Sequence, residues 1–321
     1  MTPPVPSVWA RWGALVALLL VAVPARAQYD LGFDFSTAGS AGFQSLKIGM
    51  GAREIALGEA AAALTNDANA VFWNVGALPL IEGPEASFTH ADWLAGSSAD
   101  GVVVAAPIGP YAVGVSVMQF GIESFEETTV LDPDGTGRAV EAGDLTIGLA
   151  GARRFTDRLT IGAQVKYVRE TLDQDAFSNV LFDVGTVYYT GFRDLRLAFT
   201  LQHFGPDVQG LRQDFRTPLL FRVAVADELV ATENVRVSSA VELVHPTDNN
   251  EWVNGGLETV LLDVLALRAG YRFGVEEGRF SLGAGVEPPS IGGLRVRADY
   301  AYSSYGDVFG PTHRFTVGLS R

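Results

Sequence analysis

The chain contains no cysteine and only two lysines, Lys47 and Lys166, among its 321 residues. Without cysteine there is no disulfide framework, no thiolate metal site, no cysteine nucleophile and no lipid-bearing cysteine anchor. Basic side chains are also scarce: 23 Lys and Arg stand against 37 Asp and Glu, for a formal charge of −14. That balance lacks the basic footprint nucleic-acid binding requires. The four histidines, His90, His203, His245 and His313, are too scattered to form a metal cluster. No G-x-S-x-G elbow occurs, and Gly49-Met50-Gly51 lacks the later glycine of a dinucleotide loop. The reading is therefore a protein that is not an enzyme and carries no cofactor. Long apolar runs are missing too. Past residue 27 none reaches the roughly 18 residues of a helical membrane span.

What is present begins with an export signal. Arg11 supplies a positive start, Gly13 to Val23 an apolar core, and Ala25-Arg26-Ala27 a small-residue cleavage site. Residues 1–27 are expected to be removed, so that the mature chain starts at Gln28. Residues 28–85 then form an N-terminal hatch segment, and 86–321 the body of the protein. From Arg53 to Leu64 the hatch is rich in alanine, and a helix of such small side chains fits where backbones crowd. Asn66-Asp67 is a turn signal, and Trp73 and Asn74 are placed to cap the hatch and aim the chain toward the first strand.

From residue 86 onward the sequence breaks into fourteen segments of about ten residues, from 86–93 to 312–320, each alternating apolar and polar. Leu195, Leu197, Phe199 and Leu201 oppose Arg196, Ala198, Thr200 and Gln202. Val235, Val237, Val241 and Leu243 oppose Arg236, Ser238, Ala240 and Glu242. The same parity sets Arg268, Arg272, Arg295, Arg297 and Asp299 on a polar face. That face mixes small residues with arginine and carboxylates, unlike the lysine-rich face of a solvated sheet. Tyr and Phe gather near segment ends, as in an aromatic girdle. Connections alternate long and short, the longest being 120–142 and 204–217. The pattern predicts an all-β transmembrane barrel of about 14 antiparallel strands, with outer-membrane lipid around it and a helical hatch inside or against its end.

The run Gly51-Ala52-Arg53 through Asn74, with Gly58, Ala60, Asp67 and Ala70 at intermediate points, resembles the N-terminal signature of the PorV/PorQ family. These are outer-membrane barrels related in fold to the FadL fatty-acid transporters. Leu267 to Phe273, Asp299 to Tyr302 and His313-Arg314-Phe315 are similar to the family's closing pattern. Two departures stand out. Val75, not proline, follows Asn74, and the chain ends Leu319-Ser320-Arg321 without a terminal aromatic residue.

The resemblance implies an interaction protein of type IX secretion in the outer membrane of a diderm bacterium. Its partners would be exported cargo proteins or components of the secretion and attachment machinery. The acidic outer loop, with Glu126, Glu127, Asp132 and Asp134, would be the partner surface. Asp132-Pro133-Asp134-Gly135 also resembles half a Ca²⁺ loop, although such a run equally builds a simple acidic turn. The alternative is a FadL-like channel for hydrophobic small molecules, and a third possibility is a structural barrel with no client. Arg53, Glu54 and Glu59 are the charged residues of the hatch helix, with Asp67 in the turn after it; they either tie the hatch to the wall, gate a path, or simply satisfy charge in a polar lumen.

Overall fold

In a computed structural model of the chain, residues 39–210 and 213–321 are described. The expected signal segment 1–27 and the first residues of the hatch lie outside them. Fourteen antiparallel strands close into a barrel. They are β1 (Glu85–Asp92), β2 (Ser97–Ile108), β3 (Tyr111–Ile122), β4 (Ala142–Arg154), β5 (Leu159–Leu172), β6 (Asp175–Tyr189) and β7 (Arg196–Phe204). There follow β8 (Leu220–Ala231), β9 (Val235–Pro246), β10 (Trp252–Leu261), β11 (Leu265–Phe273), β12 (Phe280–Val286), β13 (Arg295–Ser304) and β14 (Pro311–Ser320). Closure is made by β1 and β14, in register from Glu85↔Ser320 to Asp92↔His313.

Alternation along the strands sorts the side chains as the period-2 pattern requires. Val104, Val115, Leu149, Phe199, Leu243, Leu267 and Val317 are exposed on the outside, while Thr200, Ser238, Glu242, Arg268 and Asp299 are buried inside. The apolar exterior runs around the wall on strand after strand. A monomer in water does not leave so continuous an apolar surface uncovered, so lipid is its solvent and the barrel spans a membrane. Closure is what makes this possible, because it leaves no unpaired strand edge in hydrocarbon. Among the described residues no helix is long and apolar enough to cross a membrane.

The two rims differ. One carries the connections 123–141 and 205–219, and the first of these contains a two-residue ladder, Phe125–Glu126 with Ala139–Val140. The other carries the short turns 109–110, 155–158, 232–234 and 262–264, together with the entry to β1 and the end of β14. The hatch runs inside the barrel from the long-loop rim to the short-turn rim. At the first, Gly42 N–H donates to the Arg216 carbonyl and Lys47 pairs with Asp248. At the second, the chain leaves the lumen through Glu82 and Gly83 and becomes β1.

The hatch is less helical than its alanine content predicts. Helix α1 covers only Ala52–Ala56, α2 only Ala70–Trp73, and a 3-10 helix follows at Val75–Leu80. The expected run from Arg53 to Leu64 breaks because Gly58 and Glu59 both take positive φ, 64° and 67°. At Gly58 the backbone lies against Gly270 and Tyr271 of the wall, and a Cβ on either glycine would collide with the other strand's backbone. Tight contact with β11 has replaced helix continuation.

Candidate functional site

The hatch meets the wall on two opposite sides. On one, α1 packs against β11 to β14. Arg53 sends Nε and Nη2 to the two carboxylate oxygens of Glu258 at 2.9 Å each, and Nη1 to Asn66 Oδ1 at 2.7 Å. Arg268 donates to Glu258 and Asp299 at 2.6 Å each. Arg297 lies 2.8 Å from Asp67 and 2.9 Å from Asp299, and Arg272 lies 3.2 Å from Glu59. Arginine suits these positions because its fork engages two carboxylates at once. Hatch residues Arg53, Glu59 and Asp67 are thus each paired with a wall charge.

Glu54 is different. Both of its carboxyl oxygens are buried without a hydrogen-bond partner among the described residues.

On the other side the 3-10 helix Val75–Leu80 packs against β4, β5 and β6. Here the contact is alanine and glycine: Ala77, Ala105, Ala112, Ala150 and Ala152 share one buried cluster with Val75 and Leu78. Asn74 is the hub. Its side-chain amide donates to Ala62 O (2.7 Å) and Thr186 O (3.1 Å) and accepts from Gly76 N–H (3.0 Å). Asn74 therefore caps the 3-10 helix and joins it to β6, eleven residues before the first strand toward which it was expected to aim the chain. Trp73 donates from its indole to the Met50 carbonyl at 2.6 Å, pinning the hatch to itself.

A third group hangs from β7 to β9. Arg222 pairs with Glu242 at 2.7 Å and donates to Gln202 at 3.0 Å, both fully inside. Glu242 accepts from the backbone of Ala62, and Gln202 donates to the Phe72 carbonyl. Nearby Lys166 contacts Asp183 and His203, each at 2.7 Å. His203 reaches this group through a positive φ of 63°, next to a register shift between β6 and β7.

Among the described residues, two cavities flank the hatch. On the β3–β8 side a void of about 40 Å³ lies against Met50, Phe72, Trp73, Lys166, His203 and Arg222, room for roughly two to four waters. At the short-turn rim a vestibule of about 490 Å³ is lined by Arg53, Asp67, Arg236, Arg268, Arg295, Arg297 and Asp299, among others. Five of the seven wall residues expected to be lumen-facing and polar thus meet in one chamber, whereas Glu242 and Arg272 lie outside it. Arg236 and Arg295 stand at its mouth, partly exposed, paired with Asp263 (3.3 Å) and Glu82 (2.9 Å). The wall partners Glu258 and Asp183 were not singled out from sequence, and Gln202 was placed on the polar face without a partner. Their inward parity was the available signal.

The acidic outer loop has its own order. Arg138 bridges Glu127 and Asp173 at 2.7 and 2.6 Å, and Arg138 with Thr136 holds Glu127 down to about 2. Glu126 accepts from Gly137 N–H. The Asp132 carbonyl closes a turn to Gly135 N–H, and Asp134 lies in that turn. At the tip Val130 and Leu131 are 99% and 90% exposed.

No family model matches the chain, and no curated protein matches it. Solved structures do. The toluene transporter TbuX of Ralstonia pickettii is 14% identical, with 84% of this chain and 97% of that chain covered and a TM-score of 0.58. The toluene transporter TodX of P. putida is 12% identical, with 85% and 98% covered and a TM-score of 0.58. A FadL homologue of Pseudomonas aeruginosa is 12% identical, with 84% and 97% covered and a TM-score of 0.56. The fold is therefore that of the FadL-like barrels. At these identities the likeness defines architecture alone, and the PorV/PorQ resemblance gains no support from it.

Proposed function

We propose that the protein is a hatch-gated channel for small hydrophobic molecules in the outer membrane of a diderm bacterium, and not an enzyme. The observation that carries this reading is a hatch threaded through the full height of a barrel whose fold neighbours include toluene transporters and a monoaromatic hydrocarbon channel. The form described is shut. A void of about 40 Å³ is far smaller than the pockets of 300 Å³ or more that hold drug-sized ligands, so passage requires the hatch to move.

A reversible lock tests this. Leu57→Cys with Gly256→Cys places two β-carbons about 3.0 Å apart, below the range of about 3.5–4.5 Å for a disulfide, and the Leu57 carbonyl, 2.6 Å from the introduced β-carbon, has to move outward with it. No native cysteine interferes. Uptake of labelled toluene at limiting concentration by cells carrying the protein is expected to fall several-fold on oxidation and return on reduction. Uptake indifferent to the lock, or no better than in cells without the protein, overturns the channel.

The acidic loop favours a second reading, cargo retention at the cell surface in type IX secretion. An ordered loop ending in bare Val130 and Leu131 has the form of a contact surface. Deleting 123–141 would then release exported cargo without changing toluene uptake. Unchanged cargo attachment removes this reading.

A further inference from the structure

We infer that the vestibule at the short-turn rim is a binding site for a small zwitterionic solute, one carrying an ammonium or guanidinium and a carboxylate together. This goes beyond the channel reading and concerns the other end of the lumen. The chamber, about 490 Å³, is within the size range of ligand sites, yet its lining is the reverse of a greasy pocket. Twelve of its 22 lining residues are charged, five arginines against seven carboxylates. Apolar solutes gain nothing there, because few apolar side chains face them. A lone anion meets an excess of carboxylates. A lone cation would compete with five arginines already seated on those carboxylates. A molecule bearing both charges can satisfy an arginine and a carboxylate at once.

The pairs are graded from mouth to floor in a way that lets this happen. At the mouth, Arg295–Glu82 and Arg236–Asp263 join side chains 37% and 78%, and 47% and 73%, exposed. Such exposed pairs are weak and exchange partners readily. A zwitterion can take the place of one partner in each, its carboxylate on Arg295 and its ammonium on Asp263, while the displaced Glu82 and Arg236 return to water at the exposed mouth. At the floor, Arg268–Glu258 and Arg268–Asp299 are buried, 2.6 Å each, and removing one partner there leaves a buried charge unmatched. The floor therefore holds its shape while the mouth accepts the solute. Arg53 of the hatch closes the floor, so an occupied vestibule lies directly against the hatch anchor.

Glycylglycine is the probe, titrated calorimetrically into the full-length mature protein in detergent, with acetate, ethylammonium and toluene as controls. Saturable heat is expected for glycylglycine alone. Arg295→Gln and Asp263→Asn should each weaken it at least five-fold, and Glu82→Gln provides a second variant at the same pair. A heat-modifiable shift on a denaturing gel shows that each variant is a folded barrel. Absence of saturable glycylglycine heat overturns the site. So does acetate or ethylammonium binding equally well, or affinity unmoved by all three variants. Toluene uptake reports on the channel separately, and its failure with glycylglycine binding intact would remove the channel reading alone.

Discussion

The hatch is held to the wall by two seams of opposite chemistry. Toward β10, β11 and β13 the contact is charge: Arg53 to Glu258, Asp67 to Arg297, Glu59 to Arg272. Toward β4, β5 and β6 it is alanine, glycine and the Asn74 hub. Buried ion pairs give directional contacts, yet much of their energy is spent on desolvation. Close-packed small residues give little per residue but leave no gap, so water has no route in and nothing can be exchanged. The difference assigns the seams different mechanical duties. The charged seam fixes the hatch to particular wall partners beside the water-accessible vestibule, while the small-residue seam is a close-fitting bearing.

The largest expected effect comes from removing the shared carboxylate of the charged seam. Glu258→Ala deprives Arg53 and Arg268 of a common partner, and loss of one member of a buried pair costs about 3–5 kcal/mol. The urea midpoint should drop accordingly, with the hatch amides losing hydrogen-exchange protection first. If the midpoint holds, the pairs are ornaments and the seams do not differ.

Overfilling the other seam should cost less. A Cβ at Gly185 meets the Asn74 side chain and the Gly76 backbone, so Gly185→Val is expected to destabilise by about 1–3 kcal/mol. Exchange should accelerate at residues 74–80 while the amides of α1 stay protected. Uniform loss across the hatch would mean that the two seams act as one.

Much of the wall was legible because period-2 alternation is a local signal. Phe199 against Thr200 and Leu243 against Glu242 can be read two residues at a time. The seams were not legible in that way. Arg53 and Glu258 lie 205 residues apart, and nothing local pairs them. The helix expected over Arg53–Leu64 stops where the wall presses on Gly58, a tertiary contact that overrides propensity. His203 escapes parity because its positive φ turns it inward. The lumen is also fuller than an open pore would be. Thr200 is buried at 2% exposure beside the hatch, so an arginine placed there meets packed chain, not water.

The hatch is anchored at both rims, by Lys47 and Gln44 on Asp248 at one and by the peptide chain into β1 at the other. A strut fixed at both ends cannot be withdrawn like a stopper, nor can it slide past the wall without shedding an anchor first. With both anchors in place, its remaining freedom is to buckle, and buckling concentrates where stiffness is least. That place is the stretch between α1 and α2, where the positive φ values of Gly58 and Glu59 interrupt the helix and turns replace it as far as Asn69, but it is free to bend only once the pairs of Glu59 with Arg272 and Asp67 with Arg297 let go. The compliance of the whole plug is thus set by residues 57–69 together with the wall charges that hold them, between the two cavities it keeps apart.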